Sequence, residues 1–114
     1  MDRKFERTIG LIGEENFSQI RRKTLLIFGL GGVGGTCFEA LLRTGFSKFI
    51  LVDFDKVDAS NLNRQILFTE KDIGKNKVEI AKNRALEINK EAEISIFNLQ
   101  VNETNIDEFK NLNF

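Results

Sequence analysis

A run of glycines between an apolar segment and an amphipathic one constrains this chain more than any other feature. Leu25-Leu26-Ile27-Phe28 leads into Gly29-Leu30-Gly31-Gly32-Val33-Gly34, and Cys37-Phe38-Glu39-Ala40-Leu41-Leu42-Arg43 follows. The first segment has the look of a buried parallel strand. The last suits a helix, with Cys37, Phe38, Leu41 and Leu42 on one face and Gly45 where a C-terminal cap would end it. Strand, G-x-G-x-x-G turn and helix is the context in which such a motif holds phosphate. Gly29 permits the tight turn, Gly31 lets backbone approach a phosphate without a Cβ in the way, and Gly34 lets the helix pack closely on the strand. The N–H groups at the helix start, with the positive end of its dipole, favour an anion. The bland alternative is a glycine-rich turn without a ligand; a separate task for each glycine argues against it.

A second strand, Lys48-Phe49-Ile50-Leu51-Val52-Asp53, ends on a carboxylate some two dozen residues after Gly29. That is close to the spacing at which an acidic residue meets a ribose hydroxyl. A carboxylate there repels a 2′-phosphate and so disfavours NADP, but Asp53 alone does not separate NAD from ATP. The bland alternative, less favoured at this position, is a strand-end aspartate capping the next turn. Asp55 divides between loop structure and site.

Past that strand comes Ser60-Asn61-Leu62-Asn63-Arg64-Gln65, then Gly74-Lys75-Asn76-Lys77. Ligands of open α/β sheets bind at this carboxyl edge. Arg64 can fork onto phosphate oxygens and stabilise charge as a phosphoryl bond breaks, and Lys77 adds a point charge beside them. Lys75 and Lys82 read as surface charges. A redox dinucleotide site has no need of an arginine and a lysine in that order. Together with the glycines they point to a site that binds ATP and transfers its AMP.

The remaining segments are placed coarsely. Arg7 to Arg22 reads as short helical pieces around Gly10 and Gly13, anchored by Phe17 and Ile20. Lys75 to Asn89 is the clearest helix, with Val78, Ala81, Ala85 and Ile88 on one face. Glu93 to Leu99 reads as a third strand, and Glu103 to Lys110 as a short helix with Ile106 and Phe109 inward. Strands alternating with helices imply an α/β fold: a Rossmann-like parallel sheet with flanking helices and right-handed crossovers. The expected division is an N-terminal helical segment, 1–24, and a partial Rossmann-like ATP-binding domain, 25–114.

Composition sets the outer limits. With 114 residues the chain is one domain at most. Lys+Arg 17 against Asp+Glu 17 leaves no net charge, so no general attraction to nucleic acid or membrane is expected. There is no histidine and one cysteine, which excludes a Cys/His zinc site, a Ser-His-Asp triad and an internal disulfide. No residue is assigned to a metal. Cys37 is expected to be a small buried hydrophobe. The lone thiol, with no secretory signal and no apolar stretch of membrane-spanning length, fits a cytoplasmic protein.

The four signatures in order, Gly-Leu-Gly-Gly-Val-Gly, Asp-Phe-Asp, Ser-Asn-Leu-Asn-Arg-Gln and Gly-Lys-Asn-Lys, resemble those of the ThiF/MoeB/HesA family, bacterial relatives of ubiquitin-activating enzymes. The resemblance covers nearly the whole chain. Phe5-Glu6-Arg7-Thr8, Glu39 to Gly45 and the Asn-x-Asn-Arg-Gln form at Asn61 are most similar to the tRNA threonylcarbamoyladenosine dehydratases within it. The resemblance implies that Gly32 and its neighbours hold phosphate and adenosine, that Asp53 holds the ribose, and that Asn61, Arg64 and Lys77 contact the triphosphate. Arg7 matches an arginine that the family reaches across a homodimer interface onto the partner's ATP. Asn76 stands where the family usually has proline, which should loosen the helix start but leave Lys77 in position.

The implied cofactors are ATP and Mg2+. The family's magnesium-binding aspartate and its later cysteine have no counterpart before Phe114, so the chain is expected to be truncated after the third strand and inactive alone. The implied activity is adenylation of a carboxylate. That carboxylate belongs to the threonylcarbamoyl group of a tRNA adenosine, or alternatively to the C-terminal glycine of a ubiquitin-like sulfur carrier protein. Direct DNA binding is not implied. An NAD-dependent oxidoreductase would explain the glycines and Asp53 but leave Arg64 and Lys77 without a task, and a non-catalytic nucleotide-binding module is the third alternative. In the usual strand order 3-2-1-4 the first strand is central. Without a fourth strand its open edge should make the chain self-associate.

Overall fold

Five α-helices and three strands succeed one another along residues 3–114, the part of the chain that the structure, a computed structural model, describes. In chain order they are Glu6–Ile12 (α1), Glu14–Arg22 (α2), Thr24–Phe28 (β1), Gly32–Thr44 (α3), Lys48–Val52 (β2), Lys77–Ile88 (α4), Glu93–Phe97 (β3) and Ile106–Lys110 (α5). The strands form one parallel sheet in the order β1-β2-β3, with Ile27 opposite Leu51 and Leu51 opposite Ile96. This is the expected α/β class.

After Lys48, strand β2 is apolar and buried because both of its faces are covered. Phe49 and Leu51 point to a core with Leu30, Phe38, Leu42, Val78, Ala81 and Ala85, supplied largely by α3 and α4. Ile50 and Val52 point the other way, to Phe109 of α5. Alternation along one strand thus divides its side chains between two cores. Phe109 sits between the rings of Phe28 and Phe97, with centroids 5.5 and 5.6 Å away, both edge-on. Phe38 meets Phe49 edge-on at 4.8 Å on the opposite face.

Local chemistry sets where each helix begins and ends. Glu14 and Glu15 open α2 and Arg21 and Arg22 close it, matching the helix dipole. Gly13 alone separates α1 from α2; Gly10 lies within α1. Gly45 ends α3 with φ 136 and lies against the Phe17 ring of α2. Helix α3 begins earlier than its apolar pattern suggests and turns Gly35, Phe38, Glu39 and Leu42 inward. Cys37 is therefore exposed, not the buried hydrophobe expected. Glu39 takes the buried place, held by Arg43 at 3.1 Å and by Arg84 of α4 at 2.9 Å.

The glycine turn is built on two of its members. Gly29 has φ 86, the left-handed region, and its N–H donates to the Val52 carbonyl at 2.8 Å. A Cβ at Gly34 would fall on the carbonyl oxygen of Gly29, so α3 can rise directly from the strand only if residue 34 has none. A Gly34→Ala protein is expected to lose about 3 kcal/mol of stability, since backbone and not a side-chain tip must move. Urea unfolding measures this; an unchanged midpoint would show that the turn opens freely.

Strand β1 pairs with β2 on one side, and among the described residues no strand lies along its other edge. Its residues are only half-buried, and Phe28 is 48% exposed. An open, apolar edge recruits further chains. Light scattering on the 114-residue chain at micromolar concentration is expected to give a mass above 13.0 kDa. A clean 13.0 kDa species would show that the edge is covered by other means.

Candidate functional site

A cleft of about 560 Å³ opens at the carboxyl ends of the three strands. It is lined by Gly29 and Gly31 after β1, Asp53 and Asp55 after β2, and Leu99 and Val101 beyond β3, with Asn61, Arg64 and Lys77 from the intervening segments. One end is apolar, with Phe28, Leu99 and Val101. The other carries the polar and charged groups.

Asp53 is 8% exposed and both its oxygens are used. Oδ2 accepts the Leu30 N–H at 2.7 Å and Oδ1 accepts the Asp55 N–H at 2.8 Å. The strand-end cap and the site are thus one residue: Asp53 fixes the glycine turn and still faces the cleft. Each carboxylate oxygen retains a second lone pair for a hydroxyl donor.

The start of α3 forms the second wall. Gly31 caps it without a side-chain hydrogen bond, and Gly32 is its first residue. The first N–H groups of the helix have no intrahelical acceptor, which makes this end an anion site. A Cβ at Gly31 would meet nothing closer than Gln65 Nε2, 3.8 Å away. The space that glycine leaves is therefore cleft, not packing. Gly32 and Gly34 do not line the cleft themselves.

The loop from Asp58 to Gln65 is pinned by its own side chains. Asp58 caps a short 3-10 turn, Ala59–Asn61, accepting from the Ser60 N–H and hydroxyl, while Asn61 Oδ1 accepts the Asp58 N–H at 2.8 Å. The Ser60 hydroxyl, and then its N–H, hold the Asp58 carboxyl below the usual carboxylate range. Asn61 is left with its Nδ2 to offer a ligand. Arg64 Nη1 donates to the Ser60 carbonyl at 2.8 Å and to Asn63 Oδ1 at 3.0 Å, which holds the exposed guanidinium over the cleft.

Lys77 is 5% exposed. Its Nζ lies 4.0 Å from Asp55 Oδ2 and 5.7 Å from the Phe68 ring centroid. The Lys77 N–H donates to the Asp55 carbonyl at 3.0 Å, and Lys56 and Asn76 form an antiparallel bridge. The helix start expected to be loose at Asn76 is thus tied to the segment after β2. Asn76 has φ −67, the value a proline would impose.

The structure therefore brings together Gly29, Gly31, Asp53, Asp55, Asn61, Arg64 and Lys77. It does not bring in Arg7, which lies exposed on α1 away from the cleft. Sequence reasoning gave no site role to Leu99, Val101 or Gln65. Leu99 and Val101 follow β3 and carry no motif. Gln65 is visible as a polar residue next to Arg64, but its burial is set by contacts distant in sequence. Among the described residues no three His, Cys, Asp or Glu side chains gather as metal ligands. Among the same residues no helix is long and apolar enough to cross a membrane.

A family model described as the ThiF family matches residues 5–112. The tRNA threonylcarbamoyladenosine dehydratase of Bacillus subtilis (strain 168) is 35% identical over 106 residues, covering 93% of this chain and 42% of the relative. Ubiquitin-like modifier-activating enzyme 5 of Caenorhabditis elegans is 36% identical over 101 residues, covering 89% of this chain and 23% of the relative. Among solved structures, E. coli tRNA N6-threonylcarbamoyladenosine dehydratase (TcdA) in complex with ATP is similar with a TM-score of 0.94 and 31% identity, covering 97% of this chain and 46% of that one. The chain spans less than half the length of each of these proteins.

Proposed function

The chain belongs to the ThiF family, and from that premise we propose that it is the nucleotide-binding part of an ATP-dependent adenylating enzyme. The observation that carries the reading is the convergence of Gly31, Asp53, Asn61, Arg64 and Lys77 on one cleft at the sheet's carboxyl edge. An NAD site would explain the first two and leave the cations idle. The solved relative TcdA in complex with ATP supports a triphosphate ligand.

In this reading the adenine lies toward Phe28, Leu99 and Val101, and the ribose hydroxyls donate to Asp53. The phosphates meet the start of α3, Arg64, Asn61 and Lys77. A substrate carboxylate oxygen attacks the α-phosphorus, the bond to the bridging oxygen of the β-phosphate breaks, and pyrophosphate leaves with that electron pair. Arg64 and Lys77 stabilise the charge that moves onto the departing phosphates. Mg2+ would accompany the triphosphate and offset its charge; among the described residues no three His, Cys, Asp or Glu side chains gather to hold it.

The carboxylate we favour is that of a threonylcarbamoyl group on a tRNA adenosine, with adenylation driving ring closure. The similarity to TcdA, at a TM-score of 0.94, supports it. The second reading, the C-terminal glycine of a ubiquitin-like carrier, is favoured by relatives named as ubiquitin-like modifier-activating enzymes and by one named as a probable molybdopterin-synthase adenylyltransferase. Offering the full-length protein ATP with either substrate and identifying the products by mass separates the two. The single free cysteine suits a reducing cytoplasm.

Arg64→Ala in the full-length protein is expected to slow pyrophosphate release by on the order of a hundredfold or more. Unchanged release would remove Arg64 from the chemistry. Because Arg7 lies away from its own cleft, we assign it to the cleft of a second copy in a homodimer. Mixing Arg7→Ala and Arg64→Ala proteins should then restore part of the activity through hybrid dimers. No recovery, with subunit exchange demonstrated, would refute the trans role.

A further inference from the structure

The loop that carries Asn61 and Arg64 ends on Gln65, a side chain 5% exposed whose Oε1 is buried without a hydrogen-bond partner. Two other buried polar atoms share that condition, Arg84 Nε and Asn89 Nδ2. Both belong to groups held through another atom, Arg84 to Glu39 and Asn89 to Lys4 and the Glu91 N–H. The Gln65 carboxamide has no partner at either end among the described residues. An acceptor desolvated and unpaired as Oε1 is here is destabilising, so the retention of the amide calls for a reason.

The reason lies on its cleft side. Gln65 lines the same cleft as Gly31 and Arg64, and its Nε2 is the atom nearest to where a Cβ at Gly31 would stand. The groups around that spot are donors: the uncapped N–H groups of α3 and the Arg64 guanidinium. Such a field draws in an anion, and an anion takes the NH2 end of an amide. The backbone also fixes the residue, since the Gln65 N–H donates to the Asn61 carbonyl at 3.0 Å and its carbonyl accepts from Phe68 at 3.2 Å.

We propose that Gln65 is a phosphate-binding residue, its Nε2 donating to a phosphate oxygen of the nucleotide lodged between Gly31 and Arg64. This rests on the ATP reading above. It adds an uncharged donor of fixed position to two cations, and it gives a use to the amide whose Oε1 the fold leaves unpartnered. Stability is given up at Gln65 Oε1 so that the Nε2 donor stands ready at the cleft wall.

The test is Gln65→Met in the full-length protein, with ATP and adenosine as separate probes in calorimetry. Methionine matches the length of glutamine and removes the buried polar atoms. The expected result is ATP binding weakened by about tenfold or more, adenosine binding unchanged and a thermal midpoint no lower than wild type. Gln65→Glu keeps the shape and replaces the donor with an acceptor, so it should weaken ATP further while sparing adenosine. ATP binding equal to wild type in both variants, with Arg64→Ala impaired, would overturn the role of Gln65 and leave the ATP reading standing. Parallel weakening of ATP and adenosine would also overturn it, because that marks packing rather than phosphate contact. If the wild type itself bound no ATP, both readings would fall together.

Discussion

The Asp53 carboxylate holds the site together. It ends β2, accepts the Leu30 N–H from the glycine turn and accepts the Asp55 N–H from the segment that follows. Three pieces of chain, the β1–α3 turn, the end of β2 and the start of the loop, are thereby set by one side chain. It is a buried anion, and the two backbone N–H groups offset its desolvation. The turn it fixes can exist only because Gly29 adopts φ 86 and Gly34 has no Cβ. Everything that converges on the cleft depends on that small assembly.

The walls around it are stiffened by short-range polar contacts as well as by Val57, Leu67 and Phe68, which anchor the segment in the core. Asp58 and Asn61 cap the loop reciprocally, and Thr69 and Asp72 do the same one turn later, with the Asp72 carboxylate accepting the Thr69 N–H at 2.8 Å. Arg64 is then held by the Ser60 carbonyl. A ligand meeting this loop finds the guanidinium already placed, so less conformational freedom is lost on binding. The apolar residues also cover both faces of β2.

The parts of this arrangement that were legible in the sequence have local causes. The glycine turn, the apolar run of β2, the carboxylate at its end and the polar loop each lie within a few residues, and their spacing places them at one sheet edge. The misread part is a matter of helix phase. The apolar pattern puts Leu41 and Leu42 on a face with Cys37, but α3 turns Gly35, Phe38, Glu39 and Leu42 inward. A buried glutamate is not an obvious choice for that stripe. It is stable there because Arg84 arrives from α4, and nothing near Glu39 in sequence announces that partner. Gln65 is the same kind of case: its polarity is visible, its burial is not.

Lys77 shows how fold and chemistry share one residue. A lysine at the first position of a helix sits at the wrong end of the dipole, and burial adds to the cost. The fold offsets this with the Asp55 carboxylate at 4.0 Å and the face of Phe68. Neither is a tight pairing. The ammonium keeps hydrogen-bonding capacity, and its carboxylate partner is half-exposed, with 52% of that side chain accessible. A phosphate entering the cleft can therefore take up that capacity without first breaking a short ion pair. On the proposed reading, a cation that is costly to the empty fold becomes favourable once phosphate is bound, and the same argument applies to Gln65 without the charge.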